Sequence, residues 1–148
     1  MTGWHLPNKE EWNNLVAAAG GRDTILYYYR GDGESEKYSL DAGKYLKAQS
    51  GWNDYCSEWD DDDDCKSWVD GNGIDTYGFS ALPGGYRDYD GGGFDNAGDY
   101  GYWWTATEYD TEDSGGYAYY RDVDYDNDHV YEDNYNKSYG FSVRCVQD

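Results

Sequence analysis

Tyr117-Ala118-Tyr119-Tyr120-Arg121-Asp122-Val123, then Asp124 to Asp128, then His129-Val130-Tyr131-Glu132-Asp133-Asn134-Tyr135: this stretch reads as strand, turn, strand. Both flanks are rich in β-prone Tyr and Val, and five consecutive polar residues separate them. Working outward, Tyr102-Trp103-Trp104-Thr105-Ala106-Thr107 reads as a central strand. Tyr139 to Val146 reads as a final strand with Phe141, Val143 and Cys145 on one face. Phe79 to Gly85 reads as a short buried strand ending in a turn, Asp88 to Gly93 as a loop, and Ile25 to Tyr29 as short and β-prone.

Helical signals are confined to the first third. Asn8 can cap a helix, and Glu11 three residues later completes a capping box. Trp12, Leu15, Val16 and Ala19 then share one face, and Gly20-Gly21 stops the helix. A second helix is expected from Ser39 through Ala48, with Ser39 as cap and Asp41 near its positive end. Two early helices and a run of late strands predict an α+β fold, helices packed on a small twisted, mostly antiparallel sheet with long loops.

The chain has 148 residues, which suits a single domain over 1–148. With 31 acidic against 11 basic side chains its formal charge is −20. Nucleic acid is therefore not an expected partner, since phosphate binding needs clustered Lys and Arg. Low hydrophobicity with high charge would suggest disorder, but 20% of the residues are aromatic, and Trp and Tyr can build a core. No apolar run approaches the roughly 20 residues of a membrane span. Met1 runs directly into a motif interior, so it reads as an introduced start with any leader and upstream sequence removed.

Cys56 and Cys65 flank Ser-Glu-Trp and five Asp. They can close a loop worth roughly 2–3 kcal/mol in an oxidising compartment, or remain two free thiols in a flexible insertion. Cys145 is then left free, and is expected to be buried. Zinc is disfavoured because His5 and His129 lie far from these cysteines. Asp70, Asn72 and Asp75, interleaved with Gly71 and Gly73, could hold calcium; a Gly-rich turn is the alternative. No cofactor is required by this reading. Asp60 to Asp64 reads as a solvated charge run.

Four segments carry a resemblance: Gly3-Trp4-His5-Leu6-Pro7, Tyr77 to Gly85, Gly101 to Glu108 and Lys137 to Val146. In this order, spanning nearly the whole chain, they resemble the Fibrobacter succinogenes major paralogous domain. The resemblance implies a C-type-lectin-like or formylglycine-generating-enzyme-like fold in a secreted or cell-surface bacterial protein. The family pattern usually has a Cys just upstream of the first motif; Met1-Thr2 stands there instead. If that Cys normally pairs with the one matching Cys145, Cys145 is orphaned. The motifs at both ends also imply that the termini lie side by side, with Trp4 and Phe141 buried.

From Asp122 to Tyr139 the residues fall into two sets. Val123, Val130, Glu132, Lys137 and Ser138 form a framework. Between them stand Asp122, Asp124, Tyr125, Asp126, Asn127, Asp128, His129, Tyr131, Asp133, Asn134, Tyr135, Asn136 and Tyr139, all Asp, Asn, Tyr or His. An Asn codon becomes Tyr, Asp or His by one change at its first adenine. The array resembles the variable segments made by diversity-generating retroelements; a family preference for these residues on its surface is the alternative. Tyr supplies rigid contact area and Asn and Asp adaptable hydrogen bonds, so the array, Tyr125 aside, is the expected ligand-binding face. Within it Tyr131, Asn134, Tyr135 and Tyr139 are expected to face solvent, and Val123, Val130, Phe141 and Val143 to be core.

Catalysis is not expected. A formylglycine-generating oxidase needs two cysteines near the end, and only Cys145 is there. With so many Asp residues, chance carboxylate pairs say nothing about glycosidase chemistry. Neither His5 nor His129 has a motif-bearing nucleophile nearby. The expected protein is a monomeric extracellular or cell-surface module binding an unknown protein or glycan, without membrane insertion. The alternative is a structural or adhesive surface domain.

Overall fold

A computed structural model describes residues 3–20, 25–29, 35–109 and 116–148. The elements are β1 (Trp4–His5), α1 (Lys9–Gly20), β2 (Ile25–Tyr29), β3 (Ser35–Ser39), α2 (Ala42–Leu46), β4 (Tyr55–Trp59), β5 (Cys65–Val69), β6 (Tyr86–Arg87), β7 (Phe94–Asp95), β8 (Tyr100–Tyr109), β9 (Tyr117–Asp124), β10 (Val130–Asn136) and β11 (Val146–Gln147). This is α+β, with one antiparallel five-stranded sheet ordered β2-β3-β10-β9-β8 and three two-stranded ribbons, β1-β11, β4-β5 and β6-β7.

The capping box forms as the sequence requires. Asn8 Oδ1 accepts from Glu10 N and Glu11 N, and Asn8 N donates to Glu11 Oε2 at 2.8 Å. Trp12, Val16 and Ala19 are buried on one face of α1. They meet Ala42 and Leu46 of α2, and Trp103, Val123 and Val130 of the sheet. Trp12, Phe79 and Trp103 pack ring to ring, 5.6–6.3 Å between centroids. Both helices therefore cover one face of the sheet.

That face also encloses an ion network. Arg121 is 2% exposed and pairs with Glu132, its neighbour across β9-β10, which is 6% exposed. Lys9 Nζ lies 2.9 Å from the other Glu132 oxygen, and Arg121 donates to Asn13 Oδ1 at 2.6 Å. Burial lowers the Arg121 pKa to about 10, so the guanidinium stays charged at neutral pH.

Several expectations are corrected. The second helix spans only Ala42–Leu46. Ser39 is the last residue of β3, paired with Val130, although its Oγ still accepts from Ala42 N at 3.4 Å. At the other end Lys47 turns extended and bridges Ala81. Phe79 to Gly85 forms no strand, only isolated bridges from Ala81 to Lys47 and from Gly85 to Gly101; Ser80 has φ 51°, held by Asp75, whose carboxylate accepts from Ser80 N and Oγ. β8 is the edge of the sheet, not its centre. The middle strand is β10.

The open edge of β8 is covered by chain from both termini. Ala106 N donates to Pro7 O, Trp104 N to Ser142 O, and Ser142 N to Tyr102 O, all within 2.9–3.1 Å. This occupies donors that an edge strand would otherwise present for aggregation. It also explains why Tyr139 to Val146 is not a continuous strand. The segment skirts the sheet edge through isolated bridges at Gly140 and Ser142 and becomes regular only at β11. Phe141 is accordingly half-buried, Val143 is 59% exposed, and Cys145 is free and exposed rather than buried.

The termini do pair, Trp4 with Gln147 and His5 with Val146. The pairing is a surface clasp made by backbone, and Trp4 is 48% exposed instead of buried. His5 completes it, with Nδ1 2.6 Å from Asp148 Oδ1 and Nε2 2.8 Å from Glu11 Oε1. The hydrogen bond with Glu11, then that with Asp148, raises the His5 pKa. The folded state thus holds the imidazolium proton more tightly than the unfolded chain. That contribution is fully present below pH 6.5 and is lost as pH rises through the higher folded value. The difference in melting temperature between the native protein and His5→Gln is expected to shrink between about pH 6 and pH 9. A constant difference would show that the clasp does not depend on the charge.

Cys56 and Cys65 form a disulfide joining β4 to β5. The five-Asp run turns between these strands, and Asp60 Oδ1 accepts from Asp62 N and Asp64 N. Among the described residues, no helix is long and apolar enough to cross a membrane.

Candidate functional site: an aromatic cleft on the outer sheet face

The uncovered face of the sheet carries the site. Side chains alternate along a strand, so the register assigns faces. Trp103, Arg121 and Glu132 stand in line beneath the helices. The intervening residues face outward: Tyr102 beside Asp122 beside Tyr131, and Trp104 beside Tyr120 beside Asp133. Each row crosses β8, β9 and β10. Tyr135 follows on β10, and its ring lies edge-on to Tyr120, 6.5 Å between centroids.

Phe141 anchors the outer face. Its ring stacks on Trp104 at 4.4 Å and on Tyr102 at 5.0 Å, and meets Tyr120 at 5.0 Å. The sequence places Phe141 in the core, but it is the floor of a surface feature. Tyr86 closes from the β6 side, 5.8 Å from both Tyr102 and Tyr139. Tyr139 lies 4.6 Å from Tyr135. Together Tyr86, Tyr102, Tyr120, Tyr135, Tyr139 and Phe141, with Asn96, line an open cavity of about 260 Å³.

The hydroxyls of Tyr86, Tyr102 and Tyr139 are kept protonated. Burial, opposed by the hydrogen bond with Asn96, pushes the Tyr102 pKa well above its usual value. Burial also raises Tyr86, reinforced by Asp95 and Asp88. The hydrogen bond with Tyr135 raises Tyr139, which also hydrogen-bonds Asp88. At neutral pH Tyr86, Tyr102 and Tyr139 therefore offer the cleft neutral phenol hydroxyls within the influence of Asp88, Asp95 and Asp122. Rings of this kind can stack against a ligand, and the hydroxyls can orient it.

The expected array divides between three places. Tyr135 and Tyr139 line the cleft, and Asp122 stands next to Tyr102 in the row beside it. Of the four residues expected to face solvent, Tyr135 is 41% exposed, while Tyr131, Asn134 and Tyr139 are half-buried.

Asp124 ends β9, and Asp126, Asn127, Asp128 and His129 lie in the β9-β10 turn. Lys47, only 2% exposed, reaches into that turn and donates to the carbonyls of Asn127 at 2.9 Å and Asp124 at 3.3 Å. Gly43 N donates to Asp128 O at 2.8 Å, and a Cβ on Gly43 would sit 2.8 Å from that same oxygen. Helix α2 thus fixes the turn largely through backbone atoms, which any side chain at those positions would supply. The Asp128 carboxylate adds a contact at 3.6 Å to Lys47. Asn127 Nδ2 donates to Asp124 and Asp126, and its Oδ1 accepts from His129 N. Burial raises the Asp124 carboxyl pKa.

Where the turn meets β10, His129 Nδ1 and the Tyr131 hydroxyl hydrogen-bond at 2.7 Å, and burial lowers the His129 pKa. Asp133 accepts from Asn134 N; Asn136 accepts from Ser138 N and Oγ and shapes the turn after β10. The framework residues Val123, Val130 and Glu132 are 2%, 0% and 6% exposed, whereas Lys137 and Ser138 are on the surface.

Tyr86, Asn96, Tyr102 and Tyr120 are the lining residues that sequence reasoning missed. A signal existed for β8, where Tyr100, Tyr102 and Trp104 alternate with Gly101, Trp103 and Thr105. A row of rings continues through Tyr100, stacked on Tyr102 at 5.8 Å, to Tyr125 in the turn at 6.4 Å.

The oxygens suggested for calcium serve the local chain. Asp70 Oδ1 accepts from Asn72 N and Nδ2, Asn72 Oδ1 accepts from Trp52 N, and Asp75 is taken up by Ser80. Among the described residues, no group of three or more His, Cys, Asp or Glu side chains is arranged to hold a metal ion.

The model of the Fibrobacter succinogenes major domain matches residues 2–147 of the chain. No curated protein and no solved structure matches it.

Proposed function

We propose that this chain, which belongs to the Fibrobacter succinogenes major domain family, is a non-enzymatic binding module displayed outside the cell, with the outer sheet face as its ligand surface. The observation that carries this reading is the open cleft of about 260 Å³ in which five tyrosines and a phenylalanine converge from five separate segments. Rings that served only packing would be expected beneath the helices. These lie on the face the helices leave uncovered. The paired termini and the two helices on one side of the sheet support a C-type-lectin-like arrangement. The Cys56–Cys65 bridge is compatible with an oxidising, extracellular setting.

The groups that catalysis would recruit have other work. His5 holds the terminal clasp and His129 bonds Tyr131. Cys145 borders a different cavity, beside Trp12 and Arg144. The division between buried Val123, Val130 and Glu132 and the outward Tyr, Asp and Asn positions supports a diversified face. A turn held chiefly by Lys47 and Gly43 through carbonyls can exchange side chains without losing its shape. A neighbouring reverse transcriptase gene with a near-copy of the segment for 122–139, differing only at adenines, is the expected genomic signature.

The test is an unbiased screen against glycans and surface proteins, run with the native protein and with Tyr135→Ser/Tyr139→Ser. The double variant is expected to abolish binding of the ligand found. It should cost less than about 1.5 kcal/mol per ring in urea unfolding, because neither ring is fully buried. Binding that survives the exchange would overturn the assignment of the cleft and favour a structural or adhesive surface domain.

A further inference from the structure

The geometry points to an organic cation, specifically a quaternary methylammonium group, as the moiety that enters the aromatic cleft. This rests on the reading of the cleft as the ligand site and adds the chemistry of what it takes.

Three observations converge on that chemistry. The first is the lining itself. Ring centroids lie 4.6–5.8 Å apart around the Tyr102, Tyr86, Tyr139 and Tyr135 arc, with Phe141 5.0 Å from both Tyr102 and Tyr120. Aromatic faces carry negative electrostatic potential, so several rings around one cavity attract a cation whose charge is spread over methyl groups. Such a group is also cheaply desolvated. It makes no hydrogen bonds, which suits walls whose hydroxyls are already engaged, Tyr139 with Tyr135 and Asp88, and Tyr102 with Asn96.

The second is the sign of the surrounding charge. Asp88 and Asp95 act on Tyr86, and Asp122 acts on Tyr102. Among the described residues, no Lys or Arg side chain lines the cavity. An anion would meet repulsion, and a neutral sugar would gain no charge–charge attraction from these carboxylates. The formal charge of −20 adds a long-range attraction for cations.

The third is that four basic side chains of the fold are committed to other groups. Lys9 and Arg121 serve Glu132, Lys47 holds the β9-β10 turn, and Lys137 pairs with Glu108 at 2.6 Å. These four side chains are not available to the cleft.

The experiment titrates the full chain with tetramethylammonium, choline, Nε-trimethyl-lysine amide and the neutral carbon isostere of choline, followed by NMR shifts of the Tyr86, Tyr102 and Tyr135 rings. The cations are expected to bind at the cleft, and the isostere at least about tenfold more weakly. Comparison of choline with trimethyl-lysine amide separates a headgroup-like source from a protein side chain. Tyr135→Phe should retain binding and Tyr135→Leu should weaken it several-fold, since only the ring is required. Equal binding of cation and isostere, binding unaffected by Tyr135→Leu, or no binding of any cation would overturn the inference. If the screen described above still yields a ligand that depends on Tyr135 and Tyr139, the cation assignment falls and the ligand-binding reading stands.

Discussion

Glu132→Leu is expected to destabilise the protein by about 3–5 kcal/mol, and more than Arg121→Met does. Both side chains are almost completely buried under α1, so each depends on protein partners for its charge. Removing Glu132 strands the Arg121 guanidinium with Asn13 as its remaining side-chain hydrogen-bond partner. Burial already lowers the Arg121 pKa to about 10, and the Glu132 charge is the largest influence opposing that. Removing Arg121 instead leaves Glu132 facing Lys9 at 2.9 Å, so the carboxylate keeps a counter-charge. The double variant Glu132→Leu/Arg121→Met should recover most of the loss, because neither charge is then left unpaired. Urea unfolding of the three variants checks this. A loss for Arg121→Met equal to or above that for Glu132→Leu would show that Lys9 does not share the pair.

Trp103→Ala is expected to cost about 3–5 kcal/mol and to weaken ligand binding at the cleft together with it. Trp103 is 6% exposed, 6.3 Å from Trp12 and 6.2 Å from Phe79, and joins α1 to the sheet. A Cβ on Gly101 would collide with its ring and lie 2.9 Å from Leu82 O, so this corner has no spare volume. Gly101→Ala should accordingly cost about 1–3 kcal/mol by overpacking the same contact. The effect reaches the cleft because Tyr102 and Trp104 flank Trp103 and point the other way. Their backbone is also bonded to Ser142, next to Phe141. Thermal unfolding and binding of the screened ligand should therefore move together for Trp103→Ala. For Tyr135→Ser/Tyr139→Ser, binding should fall with little change in stability. Trp103→Ala binding at native affinity would separate the two faces of β8.

Local chemistry was legible in the sequence. The Asn8–Glu11 capping box, the helical face of Trp12, Val16 and Ala19, the β9-β10 hairpin with its polar turn, the Cys56–Cys65 bridge and the pairing of the two ends all follow from residues a short distance apart or from motifs quoted whole. The family resemblance is matched over residues 2–147. Alternation along Tyr100 to Trp104 and Tyr120 to Asp124 also tells which side chains share a face.

What alternation cannot tell is which face gets covered, and by what. That is decided by segments distant in the chain. The helices over 9–20 and 42–46 cover one face of the sheet, burying Trp103, Val123 and Val130 and leaving Tyr102, Trp104 and Tyr120 outward. The chain around Ser142 covers the β8 edge, which turns Phe141 from a core residue into the floor of a cleft and leaves Val143 and Cys145 at the surface. Trp4 is exposed because it joins the clasp through its backbone, while the His5 side chain closes it. The cleft itself draws on β6, β8, β9, β10 and the C-terminal segment. Its existence depends on how those pieces pack, because burial is a property of the surroundings and no residue carries it in its own identity.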